Sequence, residues 1–561
     1  MKRTWKVTGD TTPIEELVAL QLQLCRLRNI DEAGSDLFFA PNYDSIIHNP
    51  HELTDMSEAV ERITSAVKKG EHILVWGDYD ADGVSATAVL TEALIAVGAA
   101  VAPYLPHRTD EGYGLNLKTL KTLAGGFDLL ITVDCGIGNL EEINWLKSQG
   151  KDVIVVDHHE IPKELPPARA ILHPRHPAGN YPWPHLCGAG VAWKLSQALF
   201  RHEPLGPRSQ DDEKWLLDLP LLGTLGDVMP LMGENRGIVR FGLEVLRRTR
   251  RPGLRALMEA TRVERQTITA RQVVFRLVPL INAAGRMDHP QAALDVLLAK
   301  TMEQGQLKAQ ILMQLNAQRR ILTRKILKEA EEKVDPALPV VFAFDKRWAP
   351  GVVGIVAGQL AQKHGKPALV IGSNGREAVG SARTAAGIDI HAVLQQAAKH
   401  TIKLGGHKQA AGFSLAEGSI VDFRDAVTQI LMQDFVAAND GTSLSADAII
   451  TPRLLQWDTH ALLQRFEPFG EGNPAPKFVI RNVPVVRVRR VGKDQSHLKL
   501  TLKAENQDIE AIGFGLGENV AGLPKTVDVL GTLNINTFRG VGNLEVAMDD
   551  VAPAGSVTIT E

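Results

Sequence analysis

Short apolar runs alternate with longer amphipathic stretches over positions 51–295. Ile73-Leu74-Val75-Trp76, Leu129-Leu130-Ile131-Thr132-Val133 and Val153-Ile154-Val155-Val156 are apolar throughout rather than at every second residue. That is the pattern of strands buried on both faces, and strands alternating with helices predict a mainly parallel sheet covered by helices. Positions 306–334 hold neither Gly nor Pro, and Leu307, Ile311, Leu315, Leu322 and Ile326 recur at helical spacing. They predict one helix about 43 Å long, a spacer between domains, ended by Pro336 and Pro339. A second α/β domain is expected over 338–440, opening with the strand Val340-Val341-Phe342-Ala343-Phe344. From 441 to 551 the chain is strand-rich, for example at 485–489, 497–503, 509–514 and 543–548. About five twisted strands carrying basic residues suit an OB-fold. Residues 1–50, with a helical stretch over 14–28, are expected to pack on the 51–295 domain; 296–337 is the connecting helix and 552–561 a tail.

Composition narrows the class. A chain of 561 residues, 44% hydrophobic and 23% charged, is that of a soluble protein with several buried cores. It has no apolar run of about 18 residues to span a bilayer, and Met1-Lys2-Arg3-Thr4-Trp5 is not followed by a signal core, so a cytoplasmic location without membrane contact is expected. Cys25, Cys135 and Cys187 are isolated from one another, as reduced thiols are, and none is expected to be catalytic.

The net charge of −3 carries no global sign of a nucleic-acid partner, so local clusters matter more. One is Arg247-Arg248-Thr249-Arg250-Arg251 with Arg255; the other is Arg487, Arg489, Arg490, Lys493, Lys499 and Lys503. Alone, each reads first as solvated surface. Arg487 and Arg489 alternate around Val488, so both project from one face of a strand, and Arg487, Arg489, Arg490 and Lys499 are the candidate nucleic-acid contacts. With aromatics at 5%, charge is the expected means of grip rather than stacking.

The chemistry stands at the strand ends. Gly77-Asp78-Tyr79-Asp80-Ala81-Asp82-Gly83 follows the first apolar run, Asp134 the second and Asp157-His158-His159 the third, with Asp227 further on. A lone Asp after a strand is usually a turn or cap residue. Asp78, Asp80 and Asp82 together repel one another unless cations neutralise them. Strand ends of an open α/β sheet form its ligand crevice, and carboxylate and imidazole donors suit Mn²⁺ or Mg²⁺, so the clusters point to a two-metal phosphoesterase. Of the adjacent His158 and His159, only one easily faces the same metal, which leaves the other to support the ligands or to meet a phosphate.

These residues resemble the DHH phosphoesterases, named for the Asp157-His158-His159 triplet, and within them the bacterial RecJ single-stranded-DNA exonucleases. The resemblance also runs through Glu111-Gly112-Tyr113-Gly114, Val133-Asp134-Cys135-Gly136, Leu186-Cys187-Gly188-Ala189-Gly190, Gly223-Thr224-Leu225-Gly226-Asp227 and Ile281-Asn282-Ala283-Ala284-Gly285-Arg286. It continues at Gly380-Ser381-Ala382-Arg383, Gly405-Gly406-His407 and Glu467-Pro468-Phe469-Gly470-Glu471-Gly472-Asn473-Pro474, the last being the match that favours RecJ over the smaller DHH enzymes. It implies an α/β protein with a DHH catalytic domain over 51–295, a DHH-associated domain over 338–440 and an OB-fold over 441–551.

The activity implied is metal-dependent 5′-to-3′ hydrolysis of single-stranded DNA to 5′-mononucleotides, in DNA repair and recombination. One ion would sit on Asp80 and Asp134 with help from Asp78, the other on Asp82, Asp134, His158 and Asp227, while His159 meets the scissile phosphate. Arg108, Asn282 and Arg286 would bind substrate around them; Ser381, Arg383, Gly405, Gly406 and His407 would hold the terminal nucleotide. A monomer is implied, with a single-strand-binding protein and a helicase as partners. The match departs at Trp76, where the wider family often has His, and at Leu280, where RecJ proteins commonly have Arg. A phosphodiesterase of short oligonucleotides or cyclic dinucleotides is the enzyme alternative; a silent single-strand-binding relative is the other, and should have lost the carboxylates present here.

Overall fold

Leu129–Val133 is buried at all five positions because it is the middle strand of a five-stranded sheet. The order is Ala100–Tyr104, His72–Trp76, Leu129–Val133, Asp152–Val156, Ala170–Leu172, with every pair parallel. His72–Trp76 is followed in sequence by its neighbour on one side, after which the chain crosses to Leu129–Val133 on the other. The direction of winding therefore reverses between these two strands, and the crevice at such a switch point is where doubly wound sheets bind ligands. The computed structural model describes residues 4–206, 208–384, 387–434, 444–505, 507–520, 523–536 and 542–560. They form two compact units, one of Ile47–Met229 and Glu234–Asn439, the other of Met1–Ile46, Pro230–Gly233 and Asp440–Glu561.

In the first unit, helices Ala81–Ala96 and Gly188–Arg201 are buried on nearly every side, and both begin at the crevice. The expected long helix spans Met302–Glu331, about 45 Å. Its buried stripe is Ala309, Leu312, Leu315, Ile326 and Ala330, while Leu307 and Ile311 face solvent. The helix lies against Pro252–Thr261, Val278–Met287, Gln291–Leu297 and Pro350–His364, so it is packed along its length. At Gly305 a Cβ would stand 2.8 Å from the Pro252 carbonyl, which is why this turn is a glycine. A second sheet runs Lys403–His407, Ala410–Leu415, Ala378–Arg383, Ala368–Ser373, Val341–Phe344, antiparallel except for its last pair.

Part of the Arg247–Arg251 run is fold support. Arg251 is buried between Asp218 (2.8 Å) and Glu92 (2.6 Å), and Arg250 lies over the Trp215 ring.

In the second unit, Phe478–Val491, His497–Lys503, Asp508–Gly513, Asn543–Pro553 and Thr526–Asn536 are neighbours in that order, and pairing of the first with the last closes an OB barrel. Of the 1–50 segment expected to pack on the 51–295 domain, the described residues up to Ile46 belong here instead, and only Ile47–Pro50 stay with the first unit. Thr4–Val7 pairs in parallel with Leu444–Ala446 and with Thr558–Thr560, so the expected tail is partly a strand as well. Arg28 is buried, and its Nε donates to Asn473 Oδ1 (2.7 Å) within the Glu467–Pro474 loop. Asn473 Nδ2 in turn donates to the Phe466 and Pro468 carbonyls, so that segment of the resemblance is a buried structural tie. Among the described residues no helix is long and apolar enough to cross a membrane.

Candidate metal centre

The first acidic cluster is shaped by the start of the helix Ala81–Ala96. Asp80 is its N-cap, accepting from the backbone N–H groups of Asp82 (2.9 Å) and Gly83 (3.1 Å). Asn282 Oδ1 accepts from Ala81 N (2.8 Å), so the side chain expected to position substrate is also what steadies this loop. Gly83 is obligatory, since a Cβ there would lie 2.6 Å from that of Asp78. Asp82 points inward to the amino terminus of the helix Gly188–Arg201 and accepts from Gly188 N and Ala189 N at 2.7 and 2.9 Å.

Asp134 adopts a left-handed backbone (φ 59°) just past its strand and is buried. His158 Nε2 stands 3.1 Å from Asp134 Oδ1, 3.6 Å from Asp82 Oδ2 and 3.7 Å from Asp227 Oδ2. Asp227 reaches this point as the C-cap of the helix Asp218–Gly226. Asp157 does not join the cluster directly. Its carboxylate accepts from Ile137 N, His158 N, His159 N and His159 Nδ1, which fixes the ring of His159.

Electrostatics show what so acidic a pocket can hold. Burial, reinforced by Asp80, raises Asp78 well above the usual carboxylate range; burial with Asp82, Asp80, Asp78 and Asp227 does the same to Asp134. Asp227 is pushed up to about 8 by burial and then by Asp82 and Asp80. Asp78 Oδ1 and Asp134 Oδ1 are buried and accept no hydrogen bond, even though His158 Nε2 is so near the latter. Burial also holds His158 below its ordinary value, in the neutral form that donates a lone pair. Three sets have donor atoms within 4.8 Å of one another: Asp78, Asp80 and Asp134; Asp82, His158 and Asp227; Asp134, His158 and His159. Unsatisfied carboxylate oxygens and a neutral imidazole fit hard divalent cations such as Mn²⁺ and Mg²⁺. Trp76 lies beneath as core, its Nε1 donating to the Gly114 carbonyl, and offers no ligand.

Arginines ring the acids. Arg108 stacks over Tyr79 (4.7 Å), and Arg286 donates to the Gly351 carbonyl. Burial and then the fields of Arg108 and Arg319 hold Arg286 down at about 9, a crowding that an anion would relieve. Leu280 is buried in the helix core and reaches no ligand. Arg383 donates to Ser381 Oγ at 2.8 Å. Strand register puts Ser381, Gly412 and Gly405 in one row and Arg383, Ala410 and His407 in the next on the same face, with only small residues between. Gly406 falls on the other face, where a Cβ would lie 2.4 Å from the Ala410 carbonyl.

Some site groups went unassigned at the level of sequence. Tyr113 Oη lies 3.0 Å from His159 Nδ1, and Arg175 donates to the His158 and His159 carbonyls. Tyr113 stood in a recognisable motif; Arg175 carried no local signal. Of the basic barrel residues, Arg489 and Lys499 pair with Glu510 (3.2 Å each) and Lys503 with Asp508 (3.0 Å). Arg487, Arg490 and Lys493 are exposed and have no ion pair among the described residues.

Comparison with known proteins identifies the domains. Residues 72–224 match the DHH family N-terminal domain, 337–433 the DHHA1 domain and 446–550 the RecJ OB domain. The single-stranded-DNA-specific exonuclease RecJ of Bacillus subtilis is 34% identical over 538 residues, which cover 94% of this chain and 67% of that one. The crystal structure of RecJ from Thermus thermophilus with Mn²⁺ superposes with a TM-score of 0.84 at 30% identity, covering 99% of this chain and 80% of that chain. Its Mg²⁺ complex gives 0.79 at 28% identity, covering 99% and 79%. With three domain models in RecJ order and this identity across most of both sequences, the chain belongs to the RecJ family of single-stranded-DNA-specific exonucleases.

Proposed function

We propose that this chain is a metal-dependent exonuclease that starts at the 5′ end of single-stranded DNA and releases 5′-mononucleotides, serving DNA repair and recombination in the cytoplasm. The observation that carries this reading is the orphaned Asp134 Oδ1, buried where two donor sets meet. Asp78, Asp80 and Asp134 would hold one divalent ion, and Asp82, Asp134, His158 and Asp227 a second. Two such ions supply positive charge against the phosphoryl oxygens and acidify water at neutral pH.

The chain's own groups do the rest. Gly188 N and Ala189 N hold Asp82 in place, and Asp157 fixes His159 through Nδ1, which leaves Nε2 as the ring nitrogen for the scissile phosphate. Burial is opposed and outweighed by the Asp157 hydrogen bond, which raises His159 to about 9. Arg108 and Arg286 bind the adjoining phosphates. Ser381 and Arg383, with Gly405 and His407 on the same sheet face, cradle the terminal phosphate and so select the bond one nucleotide away.

End-labelled linear strands, a circular single strand and blunt duplex, each with Mn²⁺ or Mg²⁺, test the reading. The expected result is mononucleotide release from the 5′ end of the linear strand alone. Digestion of the circle, or first products from the 3′ end, would refute it.

A further inference from the structure

The outward face of the barrel's second and third strands ends in an aromatic pair that neither the metal centre nor the basic run accounts for. Val488, Leu500 and Ala511 form one row across three strands, and the latter two are fully buried, so this row faces the core. The rows on either side face out: Arg487, Thr501 and Glu510, then Arg489, Lys499 and Ile512. Pairing of Val491 with His497 begins the next outward row, and Phe514 follows directly after Gly513, the partner of Leu498. Phe514 is 71% exposed, and its ring stands edge-on to His497 with centroids 5.2 Å apart.

A single exposed apolar side chain is ordinary on a protein surface. This one is held out by construction. Gly515, with a left-handed φ of 77°, donates its N–H to His497 Nδ1 (3.2 Å), and Gly517 N donates to the Ser496 carbonyl (2.8 Å). The clipped turn sends Leu516 to the barrel core and leaves Phe514 outside. Lys493, in the turn between the first two strands, is exposed, as is Arg487 further along the outward face, and neither has an ion pair among the described residues. The nearby acids are engaged: Asp494 accepts from Ser496, and Glu510 from Thr501, Arg489 and Lys499. A flat aromatic face next to unpaired cations is complementary to a base flanked by phosphates, and strands two and three are the face on which OB-folds take up single strands.

The geometry points to a base-stacking platform: Phe514, braced by His497, takes the face of one nucleobase of a single strand whose phosphates pass Arg487 and Lys493. This rests on the proposed action on single-stranded DNA and adds a contact that charge alone does not supply.

The test measures affinity by fluorescence anisotropy, using the full chain in EDTA. The probes are a dye-labelled oligothymidylate longer than one OB footprint of about 4–16 nucleotides and an equally long strand of abasic residues. Wild type should bind the base-bearing strand about fivefold or more tightly than the abasic one, as loss of one stacked base predicts. Phe514→Ala should remove most of that preference while Phe514→Trp keeps it. Phe514→Ala should also leave the salt dependence unchanged, because no counterion is involved, whereas Arg487→Ala should lower the slope by about one. Equal affinity of Phe514→Ala and wild type for the base-bearing strand, or a wild type indifferent to base removal, overturns the platform and leaves the hydrolytic reading standing. A wild type that binds no single strand overturns both.

Discussion

Asp82 and Gly188, 106 residues apart, meet through a 2.7 Å hydrogen bond in which the Gly188 N–H donates to Asp82 Oδ2. The contact joins the first acidic loop to the amino terminus of a helix that starts beside Asp134. No side chain fits at this junction, since a Cβ on Gly188 would stand 2.5 Å from Asp134 Cβ and Oδ1. Gly188→Ala should therefore displace both carboxylates and lower turnover by about 100-fold, the order expected for a shift near 1 Å in a catalytic group. Turnover and thermal unfolding of the variant check this, and unchanged turnover in a folded variant would contradict it.

His158 and His159 should differ in what their loss does to metal content. His158 Nε2 faces three carboxylates, while His159 Nδ1 is committed to Asp157. His158→Ala is expected to lose bound Mn²⁺, and His159→Ala to keep most of it while losing activity. Metal analysis after gel filtration distinguishes the two, and equal depletion would refute this division of labour.

Much of this centre was legible in the chain, for a physical reason. Strands buried on both faces leave continuous apolar runs, and the groups at their ends stand out against them, so Asp78, Asp80, Asp82, Asp134 and His158 could be picked out from the chain, whereas Asp227, which ends a helix, was marked by the family motif that contains it. What stayed hidden depends on distant partners. Nothing in Thr4–Val7 says that it pairs with Leu444–Ala446 rather than with the 51–295 domain. Nothing in Arg247–Arg251 says that one arginine is buried between Asp218 and Glu92. Leu307 and Ile311 fit the helical period yet lie outside the buried stripe, because four neighbouring helices decide which side is covered. Phe514 drew no notice among so few aromatics, since exposure is invisible in sequence.

Arg383→Ala should reduce the advantage of a 5′-phosphorylated strand over a 5′-hydroxyl one. A charge-assisted hydrogen bond to phosphate is worth about 1.5–3 kcal/mol, so the preference should fall about tenfold or more. Competition between the two substrates measures it. An unchanged ratio would place the terminal phosphate elsewhere.

Stability of the first unit should depend on a pair remote from the chemistry. Lys194 and Glu234 are fully buried and 2.9 Å apart, and Glu234 also accepts from His48 N and Tyr181 Oη. Lys194→Ala leaves a buried carboxylate without its counter-charge and should cost about 3–5 kcal/mol. Denaturant unfolding of the variant tests the figure, and a loss below about 1 kcal/mol would show the pair to be dispensable.

Asp134→Ala tests the central claim most directly, through Mn²⁺ stoichiometry by titration calorimetry together with single-turnover hydrolysis of a 5′-phosphorylated strand. Wild type should bind two ions per chain. The variant should fold, lose tight binding of both ions and hydrolyse slower by at least about 1,000-fold, since Asp134 belongs to the donor set of Asp78 and Asp80 and its Oδ1 also lies 3.1 Å from His158 Nε2 of the other set. A folded variant that still takes up two ions, or that turns over near the wild-type rate, would contradict the account.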